Sequence, residues 1–179
     1  MDYERTLERI SSALEGLTFE QRESRDGLVA LAVERAALHD VLERLRDAAG
    51  FSTITLVTAV DRLPQSPRFE LHHQLLALEY VERVRVTTRL LEDDAKAPTC
   101  TDLWPGAAYM ERECYDMFGI DFEGHDNLRR LLMPEGYGHH PLRKDFPHSG
   151  IEPDRLYREW DRERQKQWQA QLSSEEGGR

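Results

Sequence analysis

Two stretches near the start of the chain carry apolar residues at helical spacing. In residues 1–17 and again in residues 35–49, apolar positions recur every three or four residues, and Gly50 is placed to end the second stretch. Both stretches predict amphipathic helices that pack one face on a core. The apolar positions are Tyr3, Leu7, Ile10, Leu14 and Leu17 in the first, and Leu38, Val41, Leu42 and Leu45 in the second.

Four further stretches predict β-strands. Residues 27–33 form a short apolar run, and residues 51–60 are rich in β-branched side chains. Residues 68–78 and 81–90 alternate apolar and polar positions, and the short gap between them favours an antiparallel hairpin. The order α-β-α-β-β-β over residues 1–90 predicts the α+β fold class, as a two-layer domain of helices on a mixed or antiparallel sheet.

The remainder of the chain predicts less regular structure. Residues 91–105 are polar and bounded by prolines, which indicates a connector, and Pro105 is suited to the first turn of a helix over residues 106–118. After Gly119 the periodicity fails among many prolines and glycines, although apolar residues continue to occur. A long irregular segment with apolar anchors is typical of a surface that packs on a partner.

These patterns divide the chain into four parts. We predict an α+β domain over residues 1–90, a connector over residues 91–105, and a helix with an extended partner-binding segment over residues 106–151. Residues 152–179 are predicted to form a charged C-terminal helix, near residues 152–172, and a tail that frays.

Composition narrows the function. The net charge of −10, from 34 acidic and 24 basic residues, argues against general binding of nucleic acid, because a basic surface supplies most of the affinity for nucleic acid. Cys100 and Cys114 are too few for a disulfide framework or an iron–sulfur cluster, which indicates a reducing compartment. The longest apolar run, residues 28–33, is far short of the roughly twenty residues of a membrane span. We therefore expect a soluble chain, or one held at a membrane only by other subunits.

The segment 111–147 mixes acids with arginines. Arginine pairs well with carboxylates because its planar guanidinium donates two parallel hydrogen bonds. The sequence predicts a charge network that fixes one docking geometry. Its members are Glu111, Arg112, Glu113, Asp116, Arg129, Arg130, Arg143, Lys144 and Asp145.

The spacing within residues 111–132 resembles the signature of the C subunit of respiratory complex I, the 30 kDa subunit family of NADH:quinone oxidoreductase. The matching positions are Glu111-Arg112-Glu113, Asp116, Met117-Phe118, His125, Arg129 and Leu131-Leu132. The block Pro141–Pro147 and the run Leu103-Trp104-Pro105 are also similar to that family. Asp126, Gly136 and His139 depart from its usual pattern, which bears on the loop near residues 134–140.

The resemblance implies a peripheral, non-catalytic subunit without activity of its own. FMN, iron–sulfur clusters and quinone would belong to neighbouring subunits of the hetero-oligomer, and this chain would contact chiefly subunits D and B. It would lie on the cytoplasmic side of the inner membrane, attached through the complex. The implied interface residues are Glu111, Arg112, Glu113, Asp116, His125, Arg129, Arg130, His140, Pro141, Leu142, Arg143, Lys144 and Asp145. No catalytic, cofactor-binding or metal-binding residue is expected in this chain.

Other interpretations of the same residues remain open at this point. His125, His139 and His140 lie near several acids and could bind a metal, although no zinc-binding spacing occurs. Glu111 and Glu113 could act as a carboxylate pair, although positions two apart on a helix face different ways.

The arginine pairs could contact phosphates, and Trp104 with Tyr109 could line a quinone path rather than serve as packing anchors. The parent could also be a related assembly, such as a membrane-bound hydrogenase or a complex that takes electrons from ferredoxin or F420H2. A free-standing enzyme is the remaining alternative.

Overall fold

The computed structural model describes residues 3–147, 150 and 159–167, and the statements below concern those residues. Three helices and seven strands are found in residues 3–147. The helices are α1 (Tyr3–Ala13), α2 (Leu38–Asp47) and α3 (Ala107–Phe118), with a 3-10 turn at Arg35–Ala37 before α2. The strands are β1 (Glu20–Arg22), β2 (Val29–Ala32), β3 (Thr53–Asp61), β4 (Phe69–Ala77), β5 (Glu82–Leu90), β6 (Lys96–Pro98) and β7 (Asp121–Glu123).

Five strands form the main sheet in the order β1-β2-β5-β4-β3. The pair β2/β5 is parallel and the other three pairs are antiparallel, so the sheet is mixed. The predicted α+β class is confirmed, as is the hairpin of β4 and β5. Gly50 ends α2 as expected, since its φ of +74° lets the Phe51 N–H return to the Leu45 carbonyl at 2.9 Å.

Three short strands were not indicated by the sequence pattern. Each of β1, β6 and β7 is three residues long, which is too short to show an alternation of apolar and polar positions. Strand β6 lies inside residues 91–105 and pairs in parallel with β7, which follows α3. The small second sheet therefore ties the start of residues 91–105 to the segment beyond Gly119.

One hydrophobic cluster runs from Ile10 to Phe122. The polar-looking residues 91–105 contribute to it, and the Trp104 indole N–H donates to the Ser52 carbonyl at 3.0 Å. Helix α3 packs on β3, so it joins the same core as α1 and α2. The members from residues 91–105 are Ala95, Ala97, Cys100, Leu103 and Trp104.

The predicted C-terminal helix falls partly outside the described residues. Residues 159–167 are helical, in agreement with the prediction. Helix α1 is shorter than predicted, since it ends at Ala13 and the chain then turns through Gly16, whose φ is +83°.

His73 occupies a core position of β4. It pairs across the sheet with Val57 and Val86, its side chain is fully buried, and neither ring nitrogen has a hydrogen-bond partner. Burial, with a smaller contribution from the neighbouring His72, lowers the pKa of His73 from 6.5 to about 3. The imidazole is therefore neutral in the folded protein over the whole physiological pH range.

This neutral histidine predicts sensitivity to acid. The pKa of His73 is lower in the folded protein than in the unfolded chain. The neutral ring therefore supports the fold fully above pH 6.5, and this support is lost as the pH falls from 6.5 towards 3. Between pH 7.5 and pH 5, proton uptake by the unfolded chain should remove about 2 kcal/mol of unfolding free energy. Denaturant unfolding of the full chain at both pH values measures the loss.

The variant His73→Leu should be about 2 kcal/mol less sensitive over that interval. The matched control is Gln74→Leu, at a half-buried position of the same strand that carries no titratable group, and it should retain the wild-type acid sensitivity. An unchanged pH dependence in His73→Leu would contradict the prediction.

Candidate functional site

Helix α3 carries two fully buried carboxylates that hold distant parts of the chain. The first, Glu111, accepts hydrogen bonds from the Thr99 hydroxyl at 2.6 Å and from the Cys100 N–H at 2.8 Å. It thus fixes the end of β6 against α3. Glu113, two positions later, is exposed. The two carboxylates therefore face apart, which removes the paired acid–base interpretation.

Asp116 is the second buried carboxylate. Its Oδ2 accepts three consecutive backbone N–H groups, those of Leu131, Leu132 and Met133, at 3.0, 2.6 and 2.8 Å. Its Oδ1 accepts a hydrogen bond from Arg130 at 2.7 Å. Burial would raise the pKa of Asp116, but these hydrogen bonds outweigh it and hold the pKa below its ordinary value. The carboxylate determines the path of residues 130–133.

The C-terminus of α3 is capped by a segment 20 to 30 residues further on. The Asp116 carbonyl accepts from His140 Nδ1 at 3.0 Å, the Met117 carbonyl from the Leu142 N–H at 3.1 Å, and the Phe118 carbonyl from Arg143 Nε at 2.6 Å. Such carbonyls lack partners within the helix, and they carry its partial negative charge. The cationic Arg143 is therefore favourable at this end.

Gly119 makes this capping possible. Its φ is +75°, and a Cβ there would lie 2.5 Å from Arg143 Nη2 and 2.6 Å from His140 Nε2. Only glycine combines the left-handed backbone with the space that the two side chains occupy. Burial lowers the pKa of His140, which favours a neutral ring whose Nδ1–H donates to the Asp116 carbonyl.

Arg112 and His125 also bind residues of the segment beyond β7 or hold them to α3. Arg112 donates to the carbonyls of Arg129 and Arg130 at 3.1 and 2.9 Å. His125 Nδ1 accepts the Asn127 N–H at 3.0 Å, so its Nε2 carries the proton and donates to the Ala108 carbonyl at 3.2 Å. Both side chains are therefore used in holding the loop that follows β7.

A buried arginine, Arg68, joins the far end of the segment to the main sheet. Its side chain is 4% exposed and forms a two-point pair with Asp61, at 3.1 and 2.8 Å. It also donates to Asp145 at 2.6 Å and to Glu92. The Lys144 N–H adds a hydrogen bond to Asp61 at 2.8 Å, so residues 144 and 145 are held at the edge of the sheet where β3 ends.

The pKa values of this cluster follow from these contacts. Burial would raise the pKa of Asp61, but hydrogen bonds from Arg68, Lys144 and Leu63 lower it to about 2. Hydrogen bonds to Asp61 and Asp145 raise the pKa of Arg68. The cluster is therefore fully ionised at neutral pH, with each buried charge paired.

Sequence reasoning did not find Asp61, Arg68 and Glu92. Arg68 and Asp145 are 77 residues apart, and no local pattern around either residue indicates the other. Conversely, Glu111, Arg112, Asp116, His125, Arg130, His140 and Arg143, all predicted interface residues, make hydrogen bonds inside the chain.

Exposed side chains lie around this scaffold; some belong to the predicted interface, and two, Tyr109 and Leu132, were not assigned to it. Leu132 and Leu142 are 60% and 53% exposed, and Tyr109, on the surface of α3, is 66% exposed. Glu113, Arg129, Lys144 and Asp145 are exposed and Pro141 is half-buried. We call the group Tyr109, Glu113, Arg129, Leu132 and Leu142 the α3 surface. Its role as a partner interface stays a prediction.

The geometry bears on the metal-site and quinone-path interpretations of the sequence and on the chemistry of the two cysteines. In the described part of the chain no three His, Cys, Asp or Glu side chains converge as metal ligands, and His139 lies edge-on to Tyr137 with ring centroids 5.6 Å apart. Burial raises the pKa of both cysteine thiols, Cys100 and Cys114, so neither is an activated nucleophile. Trp104 is buried in the core rather than lining an open path.

No helix within the described ranges is long and apolar enough to cross a membrane. A groove of about 700 Å³ lies beside the N-terminus of α3, lined in part by His39, Asp102, His125 and Asp126. His39 and Asp102 pair with each other across 2.9 Å in this groove.

Known proteins resemble this chain in sequence and in structure. Residues 31–152, more than half of the chain, match the family described as respiratory-chain NADH dehydrogenase, 30 Kd subunit. The C subunit of the Citrifermentans bemidjiense NADH-quinone oxidoreductase is 45% identical over 129 residues, covering 72% of this chain and 79% of that protein. The C/D 2 subunit of the Aquifex aeolicus NADH-quinone oxidoreductase is 48% identical over 115 residues, covering 64% of this chain and 19% of that protein.

Among solved structures, the trypsin-resistant fragment of Nqo5 is similar, with a TM-score of 0.59 and 31% sequence identity. The match covers 72% of this chain and the whole of that fragment. The resemblance found in residues 111–132 is thus confirmed by the rest of the sequence and by the fold. The chain belongs to the family of the 30 Kd subunit of the respiratory-chain NADH dehydrogenase.

Proposed function

We propose that this chain is a non-catalytic subunit of the peripheral arm of a proton-translocating NADH:quinone oxidoreductase. It would hold neighbouring, cofactor-bearing subunits in register while electrons pass from NADH to quinone. FMN, the iron–sulfur clusters and the quinone site would belong to those neighbours. The complex would attach the chain to the cytoplasmic side of the inner membrane.

The observation that carries the proposal is the way in which the signature residues are used. Asp116, His140 and Arg143 hold the irregular segment beyond Gly119 against α3, and Glu111 holds the end of β6 against the same helix. A segment fixed in this way loses little conformational entropy on binding, which favours a tight and specific interface. The α3 surface includes Tyr109 and Arg129, two residue types that are enriched at interfaces, and the Arg129 guanidinium has no partner within the described residues.

Subunits D and B are the proposed neighbours. In the Aquifex aeolicus relative, the name C/D joins two subunits in one protein, of which the match to this chain covers 19%. Fusion of two polypeptides is favourable where the separate chains would already lie side by side, because it raises their effective concentration. The other proposed contact, with the B subunit, rests on family membership.

Purification of the tagged full chain from solubilised membranes tests the proposal. Mass spectrometry should identify flavin-binding, iron–sulfur and membrane subunits together with the tagged chain. If the electron-input subunits were those of a hydrogenase or a ferredoxin-linked enzyme, the scaffold role would stand in a different parent complex. Recovery of the chain alone, monodisperse and free of other subunits, would contradict the proposal and favour a free-standing protein.

A charge reversal on the α3 surface separates assembly from folding. Arg129 is exposed, and its guanidinium has no partner within the described residues, so Arg129→Glu should reduce recovery of the complex about fivefold without changing the isolated fold. Lys96→Glu, at an exposed position of β6, is the matched control and should leave recovery unchanged. Circular dichroism and thermal unfolding of each full chain report folding. Equal loss of recovery in both variants would contradict a specific role for Arg129.

A further inference from the structure

The face of the main sheet that points away from the core has an ordered pattern of side chains. Along β4, the buried Leu71, His73 and Leu75 define the core side, so Glu70, His72 and Gln74 lie on the opposite side. We call this opposite side the outer face. Residues directly paired across strands share a face, which assigns the neighbouring strands as well.

The side chains on the outer face form three columns, one along each of the strands β3, β4 and β5, and the strand register shows which residues lie side by side. Val60 pairs with Glu70, which pairs with Arg89, and Leu56 pairs with Gln74, which pairs with Arg85. On β3 the column holds Leu56 and Val60, 41% and 36% exposed, with Thr58 between them. On β5 it holds arginines, with Thr87 between Arg85 and Arg89.

The basic column contains Arg83, Arg85 and Arg89. Arg83 is exposed and has no side-chain partner in the part of the chain that the structure describes, while Arg85 pairs with Asp26 and Arg89 donates to Glu70 at 3.2 Å. Arg83 therefore carries the one positive charge of this column that no carboxylate balances within the described residues, and in a chain of net charge −10 it favours an anionic partner.

The carboxylate of Glu70, in the central column on β4, does not repel an anionic partner. The Glu70 side chain is 6% exposed and accepts hydrogen bonds from Arg62 at 2.9 Å and from Arg89 at 3.2 Å. Burial would raise the pKa of Glu70, but Arg62, His72 and Arg89 lower it, so the carboxylate stays ionised and is neutralised locally. The outer face is thus apolar on one side and positive on the other.

The width of this pattern matches one helix. Columns on β3 and β5 are separated by two strand spacings, about 10 Å, which is close to the diameter of an α-helix with its side chains, about 10–12 Å. A helix lying along the strands would place one stripe over Leu56 and Val60 and another over the arginines.

We propose that the outer face binds an amphipathic segment of a neighbouring subunit, with an apolar stripe over β3 and Asp or Glu residues over the arginines of β5. The proposal rests on the proposed function, since it requires the neighbours of an assembled complex. Nucleic acid is disfavoured by the net charge. Three arginines are also fewer than the roughly four to eight basic residues of segments that bind anionic membranes.

Photo-crosslinking within the intact complex tests this surface. Thr58 lies on the outer face, paired with His72, and would be replaced by p-benzoylphenylalanine in the tagged full chain. After irradiation of membranes and purification of the complex, peptide mapping should place the crosslink on one segment of another subunit with acidic and apolar stripes. Crosslinks to lipid, to nucleic acid or to a second copy, or an intact complex without crosslinks, would overturn the proposal.

A charge variant provides a second test of the same surface. Arg83→Glu in the crosslinking chain should lower the crosslink yield about fivefold, because like charges would face each other. Arg44→Glu, on the exposed side of α2, should leave the yield unchanged, and circular dichroism would show that both variants fold. Equal yields in the two variants would also overturn the proposal.

The two proposals fail in different ways. If the complex copurifies but crosslinks from Thr58 reach no acidic segment, only the inference about the outer face is lost. If the wild-type chain brings no other subunit with it, both proposals are lost.

Discussion

Replacement of Asp116 by alanine is expected to lower the free energy of unfolding by about 3–5 kcal/mol. The change removes a fully buried carboxylate that accepts three backbone N–H groups and one arginine. The three N–H groups would be left without this acceptor, and Arg130, with its side chain 13% exposed, would keep the His139 carbonyl but lose the charge that compensates it. Denaturant unfolding of the full chain gives the energy.

Limited proteolysis locates the effect. Trypsin should cleave Asp116→Ala near Arg129 and Arg130 faster than it cleaves the wild type, because the carboxylate holds residues 131–133 in place. Asp116→Asn keeps an acceptor oxygen and should lose less stability, while Glu113→Ala, on the exposed side of α3, should change stability by less than about 0.5 kcal/mol. Equal stability of Asp116→Ala and Glu113→Ala would contradict this account.

Arg68→Met is expected to destabilise the protein by a similar amount, about 3–5 kcal/mol. The substitution keeps much of the side-chain volume but leaves Asp61, with its side chain 2% exposed, as a buried charge without its main partner. It also releases Asp145, so residues 143–147 should be held at the sheet mainly by the contacts of Lys144 with Asp61 and Leu63. Thermal and denaturant unfolding at pH 7.5 measure the effect.

The pH dependence of this variant provides a further test. Without Arg68, we expect burial, the largest influence on Asp61, to outweigh the remaining hydrogen bonds from the Lys144 and Leu63 N–H groups and to raise the pKa above its unfolded value. The variant should then recover stability as pH falls and the carboxyl becomes protonated. In the wild type the pKa is about 2, and Asp61 supports the fold at all pH values above its unfolded pKa. A deficit that stays constant from pH 7.5 to pH 4.5 would contradict the assignment.

Two further variants distinguish the cost of leaving a buried charge unpaired from the cost of losing an ion pair. The double variant Arg68→Met with Asp61→Leu removes both buried charges and should recover most of the lost stability, because the cost arises from the unpaired carboxylate. Arg35→Met breaks an ion pair with Asp94 whose side chains are 41% and 47% exposed, and should cost less than about 1 kcal/mol. A large loss in Arg35→Met would show that pairing alone, rather than burial, sets the energies.

The sequence by itself determined the elements that repeat over several turns or residues. Helices α1 and α2 and strands β4 and β5 follow apolar periods that are visible locally, and the period places the core side of each. Strand β3 was indicated by its β-branched residues, and α3 by Pro105. The signature of residues 111–132 identified the family before any contact was known. Gly50 and Gly119 stood where helices end, since both residues adopt a positive φ.

Only the tertiary structure decided how the charges are used. The sequence presented Glu111, Asp116 and Arg143 as a mixed-charge surface, whereas the fold directs them to Thr99, to the N–H groups of residues 131–133 and to the end of α3. Strand β6 and the pairing of Arg68 with Asp145 were equally invisible. An apolar period shows which residues of one helix or strand share a face. A hydrogen bond between residues 77 positions apart leaves no local pattern, because the two residues meet only once the chain has folded.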